Sequence, residues 1–135
     1  MKGYVKEEMI LNKNLFIDLQ GVKDKRFHTN SGEPDPQQVK TCEAWIKLHC
    51  SHQKTVNHKR SSYGLKHTVE HWGRDINKLF DTEVASPYVT SGAFIQAAHN
   101  CRFYPVIFRN RDGRKEKLWN PYFRIKIDFK DNGAV

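Results

Sequence analysis

The apolar residues of this chain change their spacing once along the sequence. Between residues 36 and 101 they recur every three or four positions, as on the buried face of a helix. Between residues 123 and 129 they alternate with polar residues, as on a strand with one face in solvent. A chain of 135 residues can bury one hydrophobic core and is short for two. The sequence therefore predicts a single α+β domain over residues 1–135, with its helices in residues 36–101.

Three amphipathic helices are predicted within the helical part of the chain, residues 36–101. They span residues 36–51, 61–80 and 90–101. Each begins beside side chains that can accept hydrogen bonds from first-turn amides, namely Asp35, Ser61 or Ser62, and Thr90 or Ser91. Gly73 interrupts the second helix at a cost of about 1 kcal/mol relative to alanine, which an apolar stripe can outweigh. We expect that stripe to pack against Trp45 and Phe94, and it comprises Leu65, Val69, Trp72 and Ile76.

The strands are predicted on either side of the helices. Residues 1–30 form an N-terminal extension with one short strand that ends at Gly21. Residues 103–129 form a β-hairpin or small sheet, because β-branched and aromatic residues flank the hairpin turn signal Asp112-Gly113. The predicted fold is thus three helices packed on a small antiparallel β-sheet.

Three helices followed by a hairpin is also the element order of a winged helix-turn-helix domain. In that arrangement the third helix enters the major groove of DNA, and the hairpin over residues 109–117 forms the wing. Element order alone does not establish such a fold. The link between the second and third helices is long for a helix-turn-helix, and the third helix offers few base-reading groups: Gln96, His99, Asn100 and Arg102.

Positive charge is concentrated in two stretches of the chain. Residues 44–69 contain no acidic residue, while the formal net charge of the whole chain is +8. Residues 102–117 carry six Lys or Arg residues against two acidic ones. A surface of one sign attracts a polyanion, so nucleic acid or a nucleoprotein complex is the expected partner. The alternative is a solvated surface whose charge serves only to keep the protein soluble.

The residues expected to contact this partner lie in both basic stretches. The first amides of the second helix, around Ser62, can hold a phosphate that neighbouring cations neutralise. The basic hairpin would supply a separate contact. The predicted binding residues are Lys54, Lys59, Arg60, Lys66, Arg109, Arg111, Arg114 and Lys115.

A five-residue match to a metallopeptidase motif lies on the second helix. His67 and His71 are four residues apart, so they share one helix face and can bind zinc, while Glu70 can deprotonate a bound water. The motif needs a third ligand from a later helix, and none of the downstream acidic residues lies in a second acidic helical motif. A solvated polar helix face explains the same residues, so we expect neither a metal nor a catalytic site.

The cysteines indicate reduced thiols rather than a disulfide framework. The chain has an odd number of them, Cys42, Cys50 and Cys101, which fits a reducing compartment. A structural zinc site with His49, His52 or His58 is disfavoured, because Cys42 and Cys50 are eight residues apart rather than two to four. No apolar run is long enough for a membrane helix, and we expect a cytoplasmic protein without a cofactor.

Two segments resemble a core found in small uncharacterised proteins of bacterial phages and mobile elements. They are residues 62–70, SYGLKHTVE, and residues 88–98, YVTSGAFIQAA. The resemblance implies a biological context, because such proteins are similar in size to replication accessories, regulators and anti-defence inhibitors, including anti-CRISPR proteins. It supplies no enzymatic residue.

Three functions are consistent with these features. The first is a non-catalytic basic accessory protein that binds DNA, RNA or a nucleoprotein complex. The second is an anti-defence inhibitor that occludes a protein or ribonucleoprotein surface. The third is a zinc-dependent hydrolase that uses His67, Glu70 and His71. The sequence leaves the oligomeric state open.

Overall fold

The computed structural model describes residues 4–8, 14–110, 115–116 and 120–128, with side chains over residues 14–107 and 120–128. The helices in this part are α1 (Pro36–His49), α2 (Ser62–Phe80) and α3 (Ser91–Asn100). The strands are β1 (Tyr4–Glu8), β2 (Leu15–Asp18), β3 (Gly21–Asp24), β4 (Cys50–His52), β5 (Val106–Asn110), β6 (Lys115–Glu116) and β7 (Ile125–Ile127). The fold is therefore α+β, as predicted.

The helices begin where their capping residues predict. The carboxylate of Asp35 accepts a hydrogen bond from the N–H of Gln37 at 2.8 Å, and Thr90 Oγ1 accepts one from the N–H of Ala93 at 3.1 Å. The predicted end of α1 at residue 51 was wrong, because Cys50 leaves the helix in an extended conformation and starts β4. Among the described helices, none combines the length and the apolar character that crossing a bilayer requires.

The strands within the described residues form three small antiparallel sheets rather than the single sheet predicted. Their orders are β1-β5-β6, β2-β3 and β4-β7. The predicted N-terminal strand is one arm of a hairpin, and Gly21, expected to end it, opens the second arm with a φ of 134° that favours glycine. The turn signal Asp112-Gly113 lies outside the described residues, but β5 and β6 pair antiparallel on either side of it, with Phe108 opposite Glu116. The ladder of β7 covers part of the strand predicted over residues 123–129.

The hydrophobic core lies around α3. Six of the ten residues of this helix are buried, and the ring of Phe94 lies 6.3 Å from Trp45 and 5.8 Å from Phe123 between ring centres. Leu65 and Val69 of α2 are fully buried in the same cluster, so the first half of the predicted stripe is confirmed. Its second half, Trp72 and Ile76, is only partly buried.

The burial of α3 leaves it without the exposed face that a recognition helix needs. The polar groups expected to read bases bond within the protein: Gln96 Nε2 donates to Asn100 Oδ1, and Asn100 Nδ2 donates to Glu43 Oε2, at 2.9 and 2.8 Å. His99 packs its ring against Tyr104, with 5.3 Å between ring centres. Placing α3 in a major groove would expose the core, so the described fold gives no support to the winged-helix arrangement.

Candidate functional site

The basic connection between α1 and α2 is fixed in place by backbone hydrogen bonds to the segment before β7. The N–H of Gln53 donates to the carbonyl of Arg124 at 3.2 Å, and the N–H of Asn57 donates to that of Phe123 at 2.9 Å. Asn57 adds a side-chain hydrogen bond from Nδ2 to the carbonyl of Ile125 at 3.1 Å, and Val56 is buried. This loop therefore holds a defined conformation, unlike a typical exposed connection.

Cations of the loop lie close to cations of the β7 segment. Lys54 and Lys59 are exposed and form no ion pair with any residue in the described ranges. Arg124 donates from Nε to the carbonyl of Lys54 at 3.1 Å, which places its guanidinium group against the loop. Lys126 lies two residues further along, on the same side of the strand, and is exposed. We call this surface the basic face, and it comprises Lys54, Lys59, Arg60, Arg124 and Lys126.

Arg60 contributes to the basic face from a more restrained position. Its Nη1 atom donates to the hydroxyl of Thr68 on α2 at 3.0 Å, and the side chain is partly buried. Arg60 therefore joins the loop to α2. A substitution of Arg60 would change both the charge and the packing of this region.

The N-terminus of α2, predicted to hold a phosphate, is occupied by the protein itself. Asn120 Oδ1 accepts a hydrogen bond from the hydroxyl of Ser62 at 2.7 Å and from the N–H of Tyr63 at 2.9 Å. The N–H of Ser62 donates to the carbonyl of Pro121 at 2.9 Å, and Ser62 is fully buried. The expected phosphate cradle at this helix start was therefore wrong, since the carboxamide of Asn120 and the carbonyl of Pro121 accept the N–H groups of Tyr63 and Ser62 that were to hold the anion.

Lys66, which was expected to neutralise that phosphate, is directed into the protein. It is 8% exposed, and its Nζ atom lies 3.5 Å from the carboxylate of Glu70. The same ammonium group lies 5.4 Å from the ring centre of Tyr63 and 5.7 Å from that of Tyr88. Lys66 thus holds two aromatic rings and a buried carboxylate together rather than presenting its charge to solvent.

The basic hairpin can be placed only in part. Arg109 of β5 and Lys115 of β6 are directly paired across the antiparallel ladder, so the two positions face the same side of the hairpin. Their side chains, and Arg111 and Arg114 altogether, lie outside the described residues. The second predicted contact region therefore stays a prediction.

The residues of the metallopeptidase-like motif form a structural network. Glu70 is buried, and its Oε1 atom lies 2.9 Å from Nδ1 of His67 while Oε2 accepts a hydrogen bond from the N–H of Val89 at 2.9 Å. His71 is half exposed and lies 3.9 Å from the carboxylate of Asp75. Among the residues with described side chains, no group of three potential ligands is arranged to hold a metal ion. Glu70 joins α2 to the segment that leads into α3.

The three thiols lie in or beside the core. Burial raises the pKa of Cys42, with a further contribution from the carboxylate of Glu70. Burial also raises the pKa of Cys50 to about 12, and it raises that of Cys101. All three are free cysteines, and their thiolate forms are disfavoured at neutral pH.

An exposed pair of aromatic rings beside Lys66 was not predicted. Tyr63 is 51% exposed and Tyr88 is 60% exposed, and the ammonium group of Lys66 lies between them. His67 also contacts Tyr63 edge to face, with 4.5 Å between ring centres. We call Tyr63 and Tyr88 the tyrosine pair. The only sequence signal was that Tyr63 lies outside the apolar stripe of α2 and that Tyr88 lies between the helices.

Comparison with protein-family models, with curated proteins and with solved structures gives no significant match for this chain. The function must therefore be argued from the site itself.

Proposed function

We propose that this protein binds nucleic acid or a nucleoprotein complex through the basic face and catalyses no reaction. The observation that carries the proposal is the pair of exposed lysines, Lys54 and Lys59, on a loop that hydrogen bonds hold in one conformation. Their charges have no acidic partner within the described ranges. Such a surface attracts a polyanion from solution and orients it.

The fixed loop matters for the energetics of this binding. An anion bound by mobile lysines must also order the chain that carries them, at a cost in conformational entropy. Here the hydrogen bonds of Gln53 and Asn57 already order the loop in the folded protein. The basic face therefore contacts phosphates at a smaller entropic cost than a flexible tail of equal charge.

Salt dependence tests this proposal directly. Binding to labelled DNA and RNA is measured by fluorescence anisotropy at several salt concentrations, and each phosphate contact contributes about −0.9 to the log-log slope for duplex DNA or about −0.7 for single strands. The double substitution Lys54→Ala with Lys59→Ala should lower the affinity across unrelated sequences. It should also reduce the magnitude of the slope by the contribution of up to about two phosphate contacts.

A charge-matched control separates the basic face from general positive charge. Lys40 of α1 and Lys78 near the end of α2 are both exposed, and changing both to alanine removes the same charge. Lys78 lies about 24 Å along the helix axis from the start of α2. The control should leave the slope unchanged. If the wild-type protein binds neither DNA nor RNA at low salt, the proposed function is wrong.

A second candidate function is the occlusion of a protein or ribonucleoprotein surface, as by an anti-defence inhibitor. An apolar cleft of about 250 Å³ favours it, because Ala44, Trp72, Ile76 and Val84 line this cleft between α1, α2 and the following loop. Val84 is 77% exposed. A pull-down from bacterial lysate distinguishes the two functions, because nuclease treatment releases a partner held through nucleic acid and retains one held through protein contacts.

The resemblance of residues 62–70 and 88–98 to proteins of phages and mobile elements supports an accessory role of either kind. Both segments contribute to one region of the structure, since Glu70 bonds the N–H of Val89 and Lys66 lies beside the ring of Tyr88. The hydrolase is not proposed, because both carboxylate oxygens of Glu70 are engaged within the protein.

A further inference from the structure

The tyrosine pair is exposed although each ring is held in place. Tyr63 lies in the first turn of α2, where its N–H bonds to Asn120. Tyr88 lies on the segment between α2 and α3. Both tyrosines are more than half exposed to solvent. Large aromatic side chains that stay exposed on a rigid scaffold are typical of recognition surfaces.

The segment that carries Tyr88 is hydrogen-bonded to α1 and to α2. The N–H of Ser86 donates to Thr41 Oγ1 and that of Val89 donates to Glu70 Oε2, each at 2.9 Å. Arg74 donates to the carbonyl of Pro87 at 3.0 Å. These hydrogen bonds fix the backbone on both sides of Tyr88, so the ring is presented by an ordered segment rather than by a mobile one.

Lys66 fixes the two rings relative to each other. Its ammonium group lies within 6 Å of both ring centres, and Glu70 compensates its charge at 3.5 Å. The pair is therefore a nearly neutral aromatic surface. Arg60 of the basic face is three residues before Tyr63, and its guanidinium group bonds to Thr68, which lies about 140° around α2 from Tyr63.

We propose that the tyrosine pair is a stacking platform for unpaired bases of single-stranded DNA or RNA, whose phosphates lie along the basic face. This inference rests on the proposed function. Duplex bases are stacked inside the helix and offer no free face, whereas every unpaired base has a π-face that can stack on tyrosine. Proteins hold single strands with little sequence preference by combining exposed aromatic side chains, on which bases stack, with cations that contact the phosphates.

The test compares single strands with duplexes of equal length. Anisotropy is measured with labelled oligothymidylate, with oligouridylate, with a DNA duplex, and with an oligonucleotide of abasic sites that retains the phosphates. Tyr88→Leu and Tyr63→Leu should each weaken single-strand binding by roughly 5- to 150-fold, because each removes one stacking partner. Duplex binding and the salt slope should stay unchanged, since phosphate contacts are retained. Tyr88→Phe should bind single strands as the wild-type protein does, because phenylalanine keeps the aromatic ring.

The chain offers a matched control elsewhere on its surface. Phe27 is 74% exposed and also makes a cation–π contact, since the guanidinium group of Arg26 lies 5.4 Å from its ring centre. Phe27→Leu should leave single-strand binding unchanged, because this ring is not part of the tyrosine pair. Wild-type protein should bind the abasic probe more weakly than oligothymidylate, and this measurement needs no variant that must fold.

Two results would overturn the platform in distinguishable ways. If the lysine variants weaken binding but the tyrosine variants do not, and the abasic probe binds as well as oligothymidylate, the platform is wrong and the proposed function stands. If wild-type protein binds neither DNA nor RNA at low salt, the proposed function and the platform fall together.

Discussion

Gly92, in the first turn of α3, lies so close to Asp18 that a Cβ atom at residue 92 would overlap the carbonyl oxygen of Asp18. The N–H of Gly92 also donates to the carbonyl of Leu19 at 3.2 Å. The start of the central helix therefore rests directly on the turn between β2 and β3. Only glycine permits this approach, because any side chain would push the turn away.

Substituting Gly92 should destabilise the protein more than its position in a helix suggests. Gly92→Ala should lower the free energy of unfolding by about 1 to 3 kcal/mol or more, because the new methyl group clashes with backbone that cannot move independently. Gly64 is the control, since a Cβ atom there meets nothing within 4 Å. Gly64→Ala should stabilise by about 0.4 to 1 kcal/mol. Urea unfolding of both variants checks the contrast, and equal effects would contradict it.

Gly73 shows why a sequence pattern can identify a helix and misjudge one of its residues. The apolar spacing predicted that α2 continues through this glycine, and the glycine was expected only to lower the stability of the helix. In the structure a Cβ atom there would lie 2.9 Å from the carbonyl oxygen of Ser86, so the glycine lets the segment after α2 cross the helix closely. That contact joins residues far apart in sequence, and helical spacing carries no information about it.

The cap of α2 gives a second prediction. Ser61 is the N-cap residue but makes no side-chain capping hydrogen bond, whereas Asn120 bonds the N–H of Tyr63 and the hydroxyl of Ser62. Asn120→Ala should therefore cost about 0.5 to 2 kcal/mol, and Ser61→Ala should cost much less. Asn120→Asp keeps the acceptor and should retain stability above the pKa of the new carboxyl group. Thermal unfolding of the three variants measures this, and a larger loss for Ser61→Ala would refute it.

Local sequence signals predicted the helices and failed where long-range contacts decide. Asp35 and Thr90 cap helices through neighbours two or three residues away, so their roles were readable. The hydrogen bonds of Asn120 and the strand pairing of Cys50 with Ile127 span more than fifty residues. The same limit applies to the site: charge located the basic loop, but only the fold shows that Lys66 is buried.

Burial separates two tryptophans that the apolar pattern treated alike. Trp45 is fully buried and contacts Phe94, whereas Trp72 lies at the edge of the core beside the apolar cleft. Trp45→Ala should cost about 3 to 5 kcal/mol, and Trp72→Ala should cost less than Trp45→Ala. Chemical denaturation of the two variants gives the comparison. A larger loss for Trp72→Ala would show that α2 buries a different face.

The partly buried thiols of Cys50 and Cys101 should react slowly in the folded protein. Burial raises the pKa of Cys50 to about 12 and also raises that of Cys101, so little thiolate is present at pH 8. Modification by a thiol reagent at this pH should be much slower in buffer than in concentrated urea, where the chain is unfolded. Equal rates under the two conditions would show that the region around Cys50 opens readily.

Asp18 should make the stability of the fold sensitive to acid. Burial raises the pKa of Asp18, but the ammonium group of Lys23 at 2.8 Å and the N–H groups of Ser31 and Gln20 together lower it by more. The resulting pKa is about 2, compared with an ordinary value of 3.8. Because the folded-state pKa is the lower one, the stabilisation is present above pH 3.8 and is lost as the pH falls towards 2. The stabilisation contributed by the ionised form of Asp18 amounts to about 2 kcal/mol. Asp18→Asn removes the titrating group and should flatten this part of the stability profile, measured by urea unfolding between pH 2 and pH 6. An unchanged slope in that variant would assign the acid sensitivity to other carboxyl groups.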